Sequence, residues 1–113
     1  MTRHDDSVPL RHMLDHAREA IAMAASKQRP DLDSDRMLQL ALVRLVEIVG
    51  EAATRVTPET QQRFPAIPWQ AARGMRNRLI HGYDSVDLDI LWATVHDDFP
   101  PLVTQLQASL SQI

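Results

Sequence analysis

The stretch DSDRMLQLALVRLVEIVGEAATRV, residues 33–56, decides the fold class. Leu38, Ala41, Leu42, Leu45, Ile48, Val49 and Ala52 recur at helical spacing and make a wide apolar face. Arg44, Glu47, Glu51 and Arg55 fall on the polar side, and Glu51 and Arg55 stand at the spacing that favours a helical ion pair. Asp33-Ser34 opens the segment and Val56 lies near its end, so it reads as the central core helix. Gly50 inside it costs about 1 kcal/mol relative to alanine, which predicts that another backbone passes close by. The apolar girth leaves two readings open. Either neighbouring helices wrap it fully, or a homodimer buries the remainder.

Working outward, a first helix is expected from about Val8 to Lys27. Ser7 or Asp6 caps it, Pro9 sits in its first turn, and Leu10, Met13, Leu14, Ala17, Ile21 and Ala24 line one face. Arg29-Pro30 ends it. Thr57-Pro58 starts a short helical turn that finishes near Phe64-Pro65. Pro68 then stands at the first position of a helix from Trp69 to about Ile80, with Gly82 where a C-terminus wants glycine. A last helix opens at Val86-Asp87, with Asp87 as cap and Val86 placed to staple against Ile90 or Leu91. Pro100-Pro101 breaks or kinks it, and Leu102, Leu106 and Leu110 carry its final apolar stripe. No alternating strand pattern, repeat or low-complexity tract is visible. The expected architecture is all-α and a single domain over residues 1–113.

The composition sets outer bounds. With 113 residues, no cysteine and three glycines, the chain excludes a disulfide scaffold, thiolate metal sites and a turn-rich all-β fold. No apolar run reaches the ~18 residues of a membrane span, and the N-terminus lacks the apolar core of a signal peptide. A soluble, cytoplasmic protein with no membrane association is expected. The formal net charge is −3, unevenly spread. Residues 63–83 hold Arg63, Arg73, Arg76 and Arg78 with no acid, whereas residues 84–113 hold five aspartates with no Lys or Arg. Such a basic block suits a local anion site or simple pairing with the following aspartates. It is too small for a general nucleic-acid coat.

The densest functional cluster is Arg76-Asn77-Arg78-Leu79-Ile80-His81-Gly82-Tyr83. Arginine offers a planar fork for phosphate, histidine moves protons near neutral pH, and tyrosine adds a hydroxyl. That set suits phosphodiester chemistry without a metal. On a continuous helix Arg76 and Tyr83 share a face, while His81 points about 140° away from Arg76. The helix therefore unwinds near Gly82, or a second copy completes the site. A structural hydrogen-bond network is the competing reading of the same residues.

This cluster resembles the Arg-x4-His-x-Tyr motif of HepT-like proteins, the HEPN toxin component of bacterial HEPN/MNT toxin–antitoxin pairs. Further stretches agree in order along the chain. Ile48-Val49-Gly50-Glu51-Ala52-Ala53 is similar to the family's I-G-E-A stretch, and Ile67-Pro68-Trp69 to its I-P-W before the motif helix. Gly74-Met75-Arg76-Asn77, His81, Tyr83, Val86-Asp87 and Trp92 follow its G-M-R-N-x-x-x-H-x-Y…V-D…W pattern. Phe99-Pro100 stands for its late D-L-P, with Phe for Leu, and the N-terminal helix matches in pattern only.

The resemblance implies a HEPN-type four- to five-helix up-and-down bundle, homodimeric, with motif helices facing across a shared cleft. It implies a metal-independent endoribonuclease that needs no cofactor. It also implies a cognate MNT-type nucleotidyltransferase antitoxin that transfers AMP from ATP to Tyr83. RNA carries its own nucleophile, the 2′-hydroxyl, so His81 is expected as general acid or base and Arg76 at the scissile phosphate. Asn77 supports one of these, and Tyr83 contacts phosphate as well as accepting AMP. Arg73 and Arg78 are candidates for RNA backbone phosphates or for carboxylate pairing. The reading from another class is a non-catalytic helical module that binds a nucleotidyltransferase; a degenerate motif would favour it, and the motif here is intact.

Other residues read as structural. His12 and His16 stand four apart with Asp15 near, but on the polar side and with no third ligand apparent, so they are expected as surface. His96-Asp97-Asp98 is expected as a helix terminus, Trp69 and Trp92 as core anchors, and Met13, Met23, Met37 and Met75 as ordinary packing.

Overall fold

The computed structural model describes residues 4–81 and 85–113, with His81 described by its backbone alone. It is an all-α bundle, built around the predicted central helix α3 (Arg36–Thr54). The N-terminal helix α1 (Ser7–Ala24) and the C-terminal helix α8 (Phe99–Leu110) pack beside it, with α1 lying against both α3 and α8. Leu10, Met13, Ala17 and Ala20 of α1 are fully buried, as are Leu42, Val46 and Val49 of α3 and Phe99 and Leu106 of α8. Each such large apolar side chain contributes roughly 1.5–3 kcal/mol by leaving water. Helix α3 begins one turn into the expected span because Asp35, not Asp33, caps it by accepting from the Leu38 amide (3.0 Å).

Arg29-Pro30 starts a helix as well as following one. Helix α2 (Arg29–Ser34) takes Pro30 into its first turn, and Gln28 and Asp31 close a reciprocal capping box. It buries Leu32, while Arg29 bonds Asp33 (3.0 Å) and Asp89 (2.7 Å) and so ties α2 to α7 (Leu88–Ala93). The Thr57-Pro58 turn is found as α4 (Pro58–Arg63), capped by Thr57, and Asp87 caps α7 by accepting from the Ile90 amide (3.0 Å). The break at Pro100-Pro101 takes the form of a π turn over Thr94–Asp98, closed by the Phe99 amide on the Thr94 carbonyl, just before α8.

Three expectations need correction. The helix expected from Trp69 to Ile80 is two pieces, α5 (Trp69–Arg73) and α6 (Met75–Leu79), interrupted at Gly74. It stops at Leu79, because Ile80 is extended (φ −97°, ψ 118°) and enters a short antiparallel pair that no alternation announced. In that pair β1 (Ile80–His81) faces β2 (Ser85–Val86), and the Asp87 amide extends it to the Leu79 carbonyl (2.8 Å). Met13 and Met75 pack in the core as expected, but Met37 is 82 % exposed and Met23 also faces solvent. Glu51 lies 3.7 Å from Arg44, two turns back, rather than pairing with Arg55.

One polar contact joins distant parts of the sequence. The Asp6 carboxylate, at the start of α1, accepts from the Thr57 amide (3.1 Å) and from the hydroxyls of Thr57 and Thr60, with His4 Nε2 also in range (2.6 Å). Burial pushes this carboxyl up, but the Thr57 and Thr60 hydroxyls, the Thr57 amide and His4 outweigh it and hold the pKa at about 2, below its ordinary 3.8. A depressed carboxylate stabilises the fold above its ordinary pKa and loses that contribution as pH falls towards the folded value. Asp6→Asn should therefore cost about 1–2 kcal/mol near neutral pH. In urea unfolding the gap between variant and parent should narrow below pH 4 and close only below pH 2; a gap independent of pH would contradict the assignment.

Candidate active site

The motif arginine is placed by how α5 and α6 meet α3. Trp69 is buried at the start of α5, its Nε1–H donating to the Phe64 carbonyl (3.0 Å), which makes it the core anchor expected. One turn on, Ala72 presents its carbonyl to α3 at Gly50. A Cβ at Gly50 would stand 3.1 Å from that oxygen, so the absence of a side chain allows the predicted close approach. Met75 and Leu79, four apart on α6, are both buried. That sets the rotation of the short helix and leaves Arg76, Asn77 and Arg78 exposed.

Arg76 and Arg78 serve different neighbours. Arg76 Nε lies 3.9 Å from Glu47 Oε2 on α3, and Arg44 Nη1 lies 3.6 Å from the same oxygen. One carboxylate thus sits between two guanidinium groups. Glu47 is the shielded member at 22 % side-chain exposure, against 60 % for Arg76. Arg78 instead reaches Asp98 on the π turn (3.6 Å) and borders a groove of about 380 Å³ that also takes in Pro68, Met75 and Gln105. Arg73, on α5, donates to Gln61 Oε1 (2.8 Å). Arg73, Arg76 and Arg78 of the basic block therefore have separate polar partners, and Arg78 shows the carboxylate pairing offered as one of its two readings.

The His81 backbone lies in β1 opposite Ser85. Since helical geometry stops at Leu79, the angle that a continuous helix would impose between Arg76 and His81 does not apply. The His81 side chain, with Gly82, Tyr83 and Asp84, lies outside the described residues, and so does the assembly of the full motif.

Sequence reasoning placed Glu47 on the polar side of the central helix and gave it no role. The signal was present: Gly50 marks where a second backbone touches α3, and Glu47 stands about one helical turn before it. Of the remaining candidates, His16 Nδ1 donates to the His12 carbonyl (2.6 Å), and Trp92 is half-buried and stacks on His96 (5.7 Å between ring centres). Among the described residues no group of three His, Asp or Glu is placed to hold a metal ion. No helix among them is long and apolar enough to cross a membrane.

The Ribonuclease HepT-like family matches residues 13–109, which take in α3, the close approach at Gly50 and the Arg76 cluster. Among curated proteins, the chain is 29 % identical to "Putative RNase MJ1380" of Methanocaldococcus jannaschii, over 95 % of this chain and 98 % of that protein. It is 40 % identical to "Probable ribonuclease HepT" of Thermococcus cleftensis, over 64 % of this chain and 66 % of that one. A third relative, "Putative RNase TTE0752" of Caldanaerobacter subterraneus, is 32 % identical over 91 % of this chain and 92 % of its own length. No solved structure matches. The chain belongs to the HepT-like ribonuclease family and is an RNase of the HEPN type.

Proposed function

We propose that this chain is a metal-independent endoribonuclease whose reaction runs through Arg76 and His81, and that it is the toxin half of a HEPN/MNT toxin–antitoxin pair. The observation that carries the reading is the exposed Arg76 guanidinium, held beside α3 in a family of ribonucleases. In the proposed step the substrate's 2′-oxygen attacks phosphorus and the bond to the 5′-oxygen breaks. His81 moves one of the two protons: it takes the one from the 2′-hydroxyl or gives the one that the 5′-oxygen needs. Arg76 faces the non-bridging phosphate oxygens, where negative charge builds in the transition state. Asn77, next to Arg76 on the exposed face of α6, orients one of the two. Arg73 and Arg78, at separate places on the surface, hold flanking backbone phosphates, and Arg78 must leave Asp98 to do so.

A homodimer is part of the proposal. Met37 and Leu40 on α3 are 82 % and 54 % exposed, and they share a helical stripe with Arg44 and Glu47. A second copy laid on that stripe would run beside Arg76, which favours a cleft between subunits. Arg76→Ala and His81→Ala are each expected to lower cleavage about a hundredfold or more while the fold and dimer persist. Activity should survive EDTA and stop when the scissile nucleotide is 2′-deoxy. Loss in chelator with recovery on adding a divalent ion would defeat the metal-free scheme, and a monomer in sedimentation would defeat the shared cleft.

The regulatory part concerns Tyr83, the single tyrosine of the chain. The partner nucleotidyltransferase passes AMP from ATP to its hydroxyl: the tyrosyl oxygen bonds the α-phosphorus, pyrophosphate leaves, and the phenolic proton is lost. The new phosphodiester brings about one negative charge and a bulky nucleoside next to the motif, where both compete with RNA for Arg76. Intact mass after incubation with the partner and ATP should show one adenylyl addition per chain, none in Tyr83→Phe, and loss of cleavage in step with labelling. A labelled Tyr83→Phe chain, or a fully labelled chain that still cuts at the parent rate, would refute it.

A further inference from the structure

We infer that Glu47 is a positioning residue for Arg76, acting from α3 on the guanidinium that meets the phosphate. The inference rests on the proposed role of Arg76. It starts from the ion-pair geometry: Glu47 Oε2 lies 3.9 Å from Arg76 Nε and 3.6 Å from Arg44 Nη1. Arginine carries five N–H donors in a rigid fork, so a carboxylate in ion-pair range on the Nε side leaves both terminal nitrogens for two phosphate oxygens. Arg44 neutralises the carboxylate from its other side and is itself shared with Glu51 (3.7 Å). Glu47 is thereby the fixed centre of a four-residue array whose other members are mostly exposed, at 58–60 % of their side-chain surface.

Two features separate this array from an incidental surface pair. An exposed ion pair is worth little to stability, about 0–1 kcal/mol, and costs side-chain freedom. Glu47, however, is shielded, and its helix is docked on α5 by the close approach at Gly50, about one turn away. The short helix α6 that carries Arg76 is only five residues long and follows the break at Gly74, so a tether to the long helix restricts the arginine where its own helix restrains it least. A carboxylate beside a phosphate site also works against binding of the anion. Glu47 therefore helps through orientation and hinders through charge, and the two effects are separable by measurement.

The test is single-turnover cleavage of a fluorescein-labelled RNA oligonucleotide that the unaltered chain cuts, with binding measured by anisotropy on its all-2′-O-methyl counterpart. Parent, Glu47→Gln, Glu47→Asp and Arg76→Ala are compared, with melting temperatures as the folding control. Glu47→Gln should cut roughly 10- to 100-fold more slowly, the scale set by misplacing a reacting group, and should bind the uncleavable RNA as tightly as the parent or tighter. Glu47→Asp keeps the charge and should recover part of the lost rate. A parent-like rate in Glu47→Gln, with Arg76→Ala inactive, overturns the positioning role and leaves the proposed reaction standing. Cleavage by Arg76→Ala overturns the proposed reaction itself and the positioning role with it. A Glu47→Gln chain that loses binding and melting temperature along with rate, unmended by Glu47→Asp, makes Glu47 a structural residue and overturns the inference too.

Discussion

The contact between Gly50 and the Ala72 carbonyl governs the rest of the molecule. A side chain at position 50 would meet a backbone oxygen at 3.1 Å, and a backbone atom in a packed interface has little room to move. With glycine there, α5 lies close on α3, and α6 follows it with Met75 and Leu79 turned to the core. Two consequences reach the surface. Arg76 stands beside the polar edge of α3, and the chain leaves α6 at Leu79 into the short antiparallel pair that carries His81. Helical packing thus sets where the motif begins, and the β pair sets the backbone direction in which it continues.

The charge pattern acquires a meaning from this arrangement. Arg63–Arg78 looks like one basic block along the chain, yet Arg73 donates to Gln61 while Arg76 and Arg78 lie in ion-pair range of Glu47 and Asp98, on different elements. Arg76 and Arg78 are two residues apart on α6, which turns them by about 200° and sends them to opposite neighbours. The arginine proposed at the scissile phosphate and the one proposed at a flanking phosphate therefore share one five-residue helix without competing for the same carboxylate. The aspartate-rich tail neutralises Arg78 through Asp98, whereas the partner of Arg76 comes from the central helix.

Much of the fold was legible in the sequence, because it depends on local rules. The 3.6-residue period identified α1 and α3, the start at Thr57-Pro58 and the cap Asp87 were readable from their types and positions, and Gly50 announced its close approach. The misreadings have physical reasons. Arg29-Pro30 reads as a stop because proline cannot sit inside a helix, but the same residue suits a first turn, and a capping box of Gln28 and Asp31 completes it. The β pair after Leu79 is two residues on each side, too short for any alternation to show. Asp6 reads as a cap of α1, but its side chain makes no cap bond and turns to Thr57, 51 positions away. Glu47 meets Arg76, 29 positions away, and neither pairing can be encoded by periodicity or capping. At the site, Arg76, Asn77 and His81 stood out by residue type and spacing, whereas the carboxylate beside Arg76 emerged only once α3 and α6 were in contact.

The account turns on which guanidinium receives the scissile phosphate. A crystal structure of the chain bound to an RNA oligonucleotide with a 2′-deoxy substitution at the cleavage point would decide it. The scissile phosphate should lie within hydrogen-bond distance of the terminal nitrogens of Arg76, with Glu47 still at its Nε and the His81 ring at the 2′ or 5′ oxygen. A scissile phosphate bound in the groove between Arg78 and Gln105, with Arg76 facing solvent, would contradict the account.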